Sequence, residues 1–316
     1  MRISVSGRKR EHLSKKENRK RKMESKQKAA YLAVSAFVIL TLALSVLTVC
    51  RVLAKAADAG KFEYPAAVSV PSVSAAAAVL IDADDGKELY AYHAEEKMYP
   101  ASTTKIMTAL VVLETMETLG LDLDSEIVVP AEAQGVEGSS IHLKAGERVS
   151  VEELLYGLML QSGNDSAAAL AACVGGSTEH FLDQMNRRAE ELGCQQTHFA
   201  NPSGLYDENH YTTARDLACI ARAAMMREDF RQIVETKEWN SGHRTFVNKN
   251  KTVFQYEGGN GVKIGFTKAS GRTLAASASR DGHEVIAVVL NDGNWFQDAY
   301  HLMDYGFSLL ECEAEK

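Results

Sequence analysis

Ser102, Thr103, Thr104 and Lys105 stand in a row in the chain. A serine hydroxyl is a weak nucleophile until a base within hydrogen-bond reach takes its proton. On a helix, residues three apart share a face, so the Lys105 amine is expected to reach the Ser102 hydroxyl. A lysine withdrawn from water loses its proton near neutral pH and can serve as that base. With Ser102 at a helix start, free backbone N–H groups point toward the place where an oxyanion would develop. The chemistry that suits this pair is acyl transfer through a serine ester. The spacing alone is common: Ser6 to Lys9 and Ser25 to Lys28 repeat it, and a serine that merely caps a helix has the same neighbours.

Two further elements come later in the chain, in order. Ser162-Gly163-Asn164 interrupts two apolar stretches in LMLQSGNDSAAAL and offers a second hydroxyl and an amide to a shared cleft. Lys263-Ile264-Gly265 opens a strand-like run. Its lysine can attract a carboxylate, and its glycine lets another backbone come close. Lys144-Ala145-Gly146 fits the last pattern as well, so the argument rests on order and context.

The elements that must carry these groups are legible from patterning. Ala76–Asp82 reads as a strand, Asp85-Gly86 as a turn and Glu88–His93 as the return strand. Thr273–Ser279, an Asp281-Gly282 turn and His283–Leu290 repeat the pattern near the other end, succeeded by a helical stretch, Trp295–Leu310. Helices are expected over 103–113, after a capping box at Ser150, and over 166–173, 178–192 and 214–226. Strands at both ends of a helix-rich middle predict an α+β domain whose two ends pair in one antiparallel sheet.

Residues 1–28 hold twelve Lys or Arg against three Glu, so with a net charge of -7 overall the rest of the chain is strongly acidic. An acidic body is a poor nucleic-acid binder. The basic tail instead precedes Ala29–Cys50, 22 residues without a charge, enough to cross a hydrocarbon core of about 30 Å. Positive residues stay on the cytoplasmic side, which sends the chain beyond Arg51 outside. The expected organisation is a cytoplasmic tail (1–28), a membrane anchor or signal peptide (29–50), a stalk (51–74) and a folded domain (75–316). Ala54-Lys55-Ala56 offers a cleavage site, while the length of the apolar run favours an uncleaved anchor. Four cysteines lie beyond Cys50, with no disulfide framework in their spacing; Cys173 and Cys219 read as core. Neither C-x-x-C nor H-E-x-x-H occurs, and no metal or organic cofactor is expected.

The three elements together resemble S-x-x-K, S-x-N and K-T-G, the signature of the penicillin-recognising serine enzymes. The stretches YPASTTKIMTAL, LKAGE, LMLQSGNDSAAALA, FLDQMNRRAEELG, THFANPSGL, YTTARDLA and GVKIGFT are similar to those of the low-molecular-mass D-alanyl-D-alanine carboxypeptidases. The resemblance spans about residues 75–310. It implies a β-lactamase/transpeptidase-like fold and removal of terminal D-Ala from peptidoglycan stems ending in D-Ala-D-Ala, with covalent capture of β-lactam antibiotics. By the same resemblance Ser102 is acylated, Lys105 is its base, Ser162 relays a proton and Asn164 holds the substrate amide. Lys263 and Gly265 would face the substrate, the N–H groups of Ser102 and Phe266 would form the oxyanion hole, and Arg215 and Thr267 would hold the terminal carboxylate. Many relatives continue into a β-rich domain and an amphipathic membrane helix, which this sequence does not show, so attachment is expected at the N-terminal segment.

One residue departs from the signature: Ile264 stands where the family has threonine. Both are β-branched, which keeps the strand, but the hydroxyl is lost. A catalytically impaired peptidoglycan-binding module is therefore the alternative reading. A β-lactamase is a further one, although the E-x-x-L-N element of class A enzymes is missing. His142, in GSSIHLKAGE, is expected in a loop beside the cleft or at the surface.

Overall fold

The computed structural model describes residues 69–314. The basic tail, the apolar segment and most of the stalk lie outside the described residues. Five strands form one antiparallel sheet: β1 (Ala77–Asp82), β2 (Glu88–Tyr92), β7 (Gly259–Thr267), β8 (Gly271–Arg280) and β9 (His283–Leu290), in the order β2-β1-β9-β8-β7. The early hairpin thus joins the late meander through the β1–β9 pair, in which Val79 faces Val288 and Ile81 faces Ile286. The expected pairing of the two ends is observed. Asp281 (φ 50°) and Gly282 (φ 83°) make the two-residue β8–β9 turn with Arg280 opposite His283, the left-handed pair that matches strand twist.

The helix α8 (Trp295–Ala314) packs on one face of the sheet. The other face meets a helical lobe made of α1 (Lys105–Leu119), α2 (Val151–Leu160), α3 (Asn164–Val174), α4 (Thr178–Glu191), α5 (Ala214–Met225) and α6 (Glu228–Glu235). Small hairpins β3–β4 (Glu126–Val128, Arg148–Ser150) and β5–β6 (Glu238–Asn240, Thr245–Val247), with a one-turn α7 (Thr252–Gln255), complete the described residues. Leu154, Leu155 and Phe181 are fully buried between the helices, each such side chain contributing about 1.5–3 kcal/mol.

Ser150 caps α2 by accepting from the Glu153 N–H (3.1 Å). The Glu153 carboxylate, expected to bond back to the cap, accepts from Arg244 Nη1 instead (2.6 Å). The cap is real, and its reciprocal half is replaced by an ion pair tying α2 to the β5–β6 hairpin.

Candidate active site

Ser102 lies in a 3-10 turn, Ala101–Thr104, that runs directly into α1. In that tighter turn, side chains three apart eclipse, and Lys105 Nζ sits 3.0 Å from Ser102 Oγ. The turn begins at Ala101 with φ 49°, a left-handed conformation that a non-glycine residue holds only under outside constraint. The constraint is visible. Pro100 O accepts from Thr103 Oγ1 (2.6 Å) and from Thr273 Oγ1 of β8 (3.0 Å). Ala101 O accepts from Thr104 Oγ1 (2.8 Å).

Sequence reasoning missed the group behind that last bond. His210 is buried, and its Nδ1 accepts from the Ala200 N–H at 3.0 Å. Nε2 therefore carries the hydrogen and donates to Thr104 Oγ1 (2.7 Å), which passes its own to Ala101 O. Burial lowers the imidazole to about 4, so it is neutral in ordinary buffers. The only sequence signal was its place beside YTTARD. His142 is exposed, in a loop with φ 64°, and has no part in this relay.

Lys105 is fully buried. Burial first, then the charge of Lys263, push its amine well below the ordinary lysine range. Besides Ser102, its nitrogen meets Asn164 Oδ1 (2.7 Å) and Ser203 O (2.5 Å). Both are acceptors only, and Asn164 is fixed in that orientation because its Nδ2 donates to Glu137 O (2.6 Å). A neutral amine has two hydrogens and one lone pair. In that form the two acceptors take both hydrogens, and the lone pair is turned toward Ser102 Oγ.

Ser162 and Asn164 come from the break between α2 and α3, as expected. Ser162 adopts φ 64°, is largely buried and makes no hydrogen bond among the described residues. The next residue after Asn164, Asp165, accepts from Ser140 Oγ (2.6 Å), Ile141 N (3.1 Å) and Leu143 N (3.0 Å), clamping the 140–143 loop onto the start of α3.

β7 closes the other side. It is an edge strand, and Lys263, buried on it, is lowered to about 7 by burial and then by the charge of Lys249. A Cβ on Gly265 would lie 2.9 Å from Ser102 N and 2.4 Å from Thr273 Oγ1, so only glycine lets the strand pass this close. The Thr267 N–H turns inward to Ser270 Oγ (2.9 Å). Strand alternation then leaves the Phe266 N–H on the free edge, level with the nucleophile's own N–H. Ile264 and Phe266 share one side of β7 and Lys263 and Gly265 the other; Phe266 is 63% exposed.

Two candidate residues have partners elsewhere in the fold. Arg215 binds Glu88 Oε2 (2.9 Å) and Glu95, so it serves β2, at the sheet edge opposite β7. Thr267 Oγ1 is spent in the β7–β8 turn on Ser270 (2.8 Å). The cation the structure brings here is Lys249, exposed and bonded through Nζ to Gln161 O (2.7 Å), one residue before Ser162. Its charge acts on both Lys105 and Lys263. Buried Asn248 and Asn250 on either side accept from Asn250 N (2.9 Å) and Thr252 N (3.1 Å), which fixes the turn that presents it. A groove of about 550 Å³ that includes Glu114, Cys173, His180 and Arg187 lies between α1, α3 and α4 and contains none of these groups.

The chain is similar in sequence and fold to known proteins. The family model described as Peptidase_S11, D-alanyl-D-alanine carboxypeptidase, matches residues 64–294. A D-alanyl-D-alanine carboxypeptidase of Bacillus subtilis, DacF, is 36% identical over 245 residues, covering 75% of this chain and 63% of its own length. The D-alanyl-D-alanine carboxypeptidase of Streptomyces sp. strain K15 is 34% identical over 77% of this chain and 90% of its own. The crystal structure of the Streptomyces K15 DD-transpeptidase superposes with a TM-score of 0.72 at 34% identity, covering 77% of this chain and 100% of that one. Penicillin binding protein 6B from Escherichia coli gives 0.73 at 31% identity, covering 78% and 81%. The chain thus spans somewhat under two thirds of the Bacillus relative.

Proposed function

Since the chain belongs to the peptidase S11 family of D-alanyl-D-alanine carboxypeptidases, we propose that it is a serine enzyme that cleaves the terminal D-Ala from peptidoglycan stems and is acylated by β-lactams. The observation that carries this reading is the fully buried Lys105 amine, held 3.0 Å from Ser102 Oγ with Asn164 Oδ1 and Ser203 O as its other two partners. Ser102 Oγ attacks the carbonyl of the penultimate D-Ala as Lys105 takes its proton. The N–H groups of Ser102 and Phe266 receive the oxyanion, a contribution of about 3–4 kcal/mol per donor in comparable sites. The tetrahedral intermediate collapses, its C–N bond breaks, and the leaving amine takes a proton through the unbonded Ser162 hydroxyl. Lys105 then activates water, and the ester is hydrolysed. Lys249 and Lys263 supply the positive field for the substrate's terminal carboxylate.

The experiment is intact mass after mixing the protein with penicillin, alongside D-Ala release from a D-Ala-D-Ala peptide. One penicilloyl adduct and free D-Ala are expected, and neither in Ser102→Ala. Release that persists in Ser102→Ala refutes the reading. An adduct without release supports the second reading, an impaired binding module, for which Ile264 is the motivating observation.

Ile264 should weaken the enzyme without disabling it. A hydrogen bond to a charged group contributes about 1.5–3 kcal/mol. Ile264→Thr is therefore expected to raise the acylation rate constant and D-Ala release roughly 10- to 150-fold. Unchanged rates would show that Lys249 already does the work of the missing hydroxyl.

The proposed location is outside the cytoplasm, held at the membrane by the N-terminal segment or released by cleavage near Ala56. Its support is the charge and apolar patterning of residues 1–50. Among the described residues no helix is long and apolar enough to cross a membrane.

A further inference from the structure

Four cysteines lie among the described residues, all present as free thiols. Two of them meet. Cys194 lies just past the end of α4 and is the most buried of the four, while Cys219, read from the sequence as core, is only half-buried on α5. Cys194 Sγ donates to Asp216 O (3.4 Å), one helical turn before Cys219. Cys219 Sγ donates to Leu192 O (3.3 Å), two residues before Cys194. Each thiol is thus bonded to the backbone beside the other, which brings the two side chains together. The approach is held by neighbours: Asp216 Oδ2 accepts from Gln196 N (3.0 Å) and Thr197 Oγ1 (2.8 Å), and His198 bridges to Tyr211.

We propose that Cys194 and Cys219 form a disulfide by exchange with a small-molecule or protein disulfide, closing the base of the segment that carries Ser203 and His210 into the active site. The segment between them delivers the Ser203 carbonyl to Lys105 and the His210 ring to Thr104. The pair is built asymmetrically. The neighbouring Cys194 side chain draws Cys219 down to about 7, with Arg222 and Arg188 adding positive charge, while Cys219 and burial push Cys194 up. Once its proton is lost to solvent, Cys219 attacks the incoming disulfide, forming a mixed disulfide and expelling one thiolate. Cys194 then gives up its proton to solvent and attacks Cys219 Sγ, forming the internal S–S bond and expelling the second thiolate. Two protons and two electrons leave the pair, and the oxidant's disulfide becomes two thiols. Cys173 points elsewhere, to Val128 O (3.6 Å), and Cys312 lies on α8, so neither competes.

The test treats the full chain with oxidised glutathione, alkylates it under denaturing conditions and maps the peptides by mass. The expected product is one peptide pair joined through Cys194 and Cys219, with Cys50, Cys173 and Cys312 alkylated. Cys219→Ser should leave Cys194 as an alkylatable thiol without a glutathione adduct. The oxidised wild type should lose penicillin acylation on heating about tenfold more slowly than the reduced form, and that difference should vanish in Cys219→Ser. Alkylation or separate glutathione adducts at both Cys194 and Cys219 would overturn the pairing. A bond that forms without slowing inactivation would overturn its role in holding the segment.

Discussion

Replacing Lys105 is expected to reduce acylation by penicillin roughly 10²- to 10⁴-fold, the usual contribution of a general base. Two variants separate base from cation. Lys105→Met removes amine and charge together, whereas Lys105→Arg keeps a cation and hydrogen-bond donors but cannot shed its proton. Both should fail, by stopped-flow acylation, with Ser102 still in place. An arginine variant within about tenfold of wild type would mean the lysine acts by charge, and the base assignment would fall. The pH profile has its origin in the same burial. Because burial and Lys263 lower the Lys105 pKa, its neutral form persists well below the pH at which an exposed lysine titrates, so acylation rises on the acid side as Lys105 deprotonates. On the alkaline side the rate falls as Lys263, lowered to about 7, loses the charge that attracts the carboxylate. Lys105→Met should erase the acid limb.

Gly204→Ala is expected to reduce the same rate about 10²-fold or more, through position alone. Gly204 has φ +85°, and a Cβ there would lie 1.8 Å from Ala101 O and 2.9 Å from Ser102 N. Its neighbour is backbone, not the end of a flexible side chain, so the 201–205 turn must retreat. Retreat takes Ser203 O off Lys105 and loosens the turn that holds Ser102. A misplacement of about 1 Å at reacting groups costs on the order of 10²-fold, and the strain at a left-handed site adds about 1–3 kcal/mol of destabilisation. Acylation kinetics and a thermal melt on the variant measure both effects. A Gly204→Ala enzyme within twofold of wild type would show that the turn need not touch the nucleophile.

The parts of this molecule legible in the sequence are those written in local pattern. Alternation and the Asp281-Gly282 turn marked β8 and β9, and the apolar run after Ser150 marked α2. Ser102, Lys105, Ser162, Asn164, Lys263 and Gly265 stood out because short spacings place them, and the structure brings Lys105, Asn164 and the Gly265 strand up to Ser102. What escaped depends on distance in sequence. Arg215 looked available because its partners, Glu88 and Glu95, lie more than a hundred residues upstream. Lys249 and His210 gain their places only when the β5–β6 region docks on the end of α2 and the 197–212 segment folds back on Thr104. The short strands β3 to β6 are too brief to show a period of two.

The β1–β9 pair also bears on how the chain folds. β1 lies inside the sheet, between β2 and β9, and its second partner is separated from it by almost the entire domain. The sheet is thus unfinished until residues 283–290 are available, and closing so long a loop must precede the reward of pairing. A ribosome that has delivered the nucleophile and every helix of the lobe still holds a chain in which one edge of a largely apolar strand is unpaired. Such a chain remains threadable for most of its synthesis, and it gains its lasting shape only when the last strands arrive.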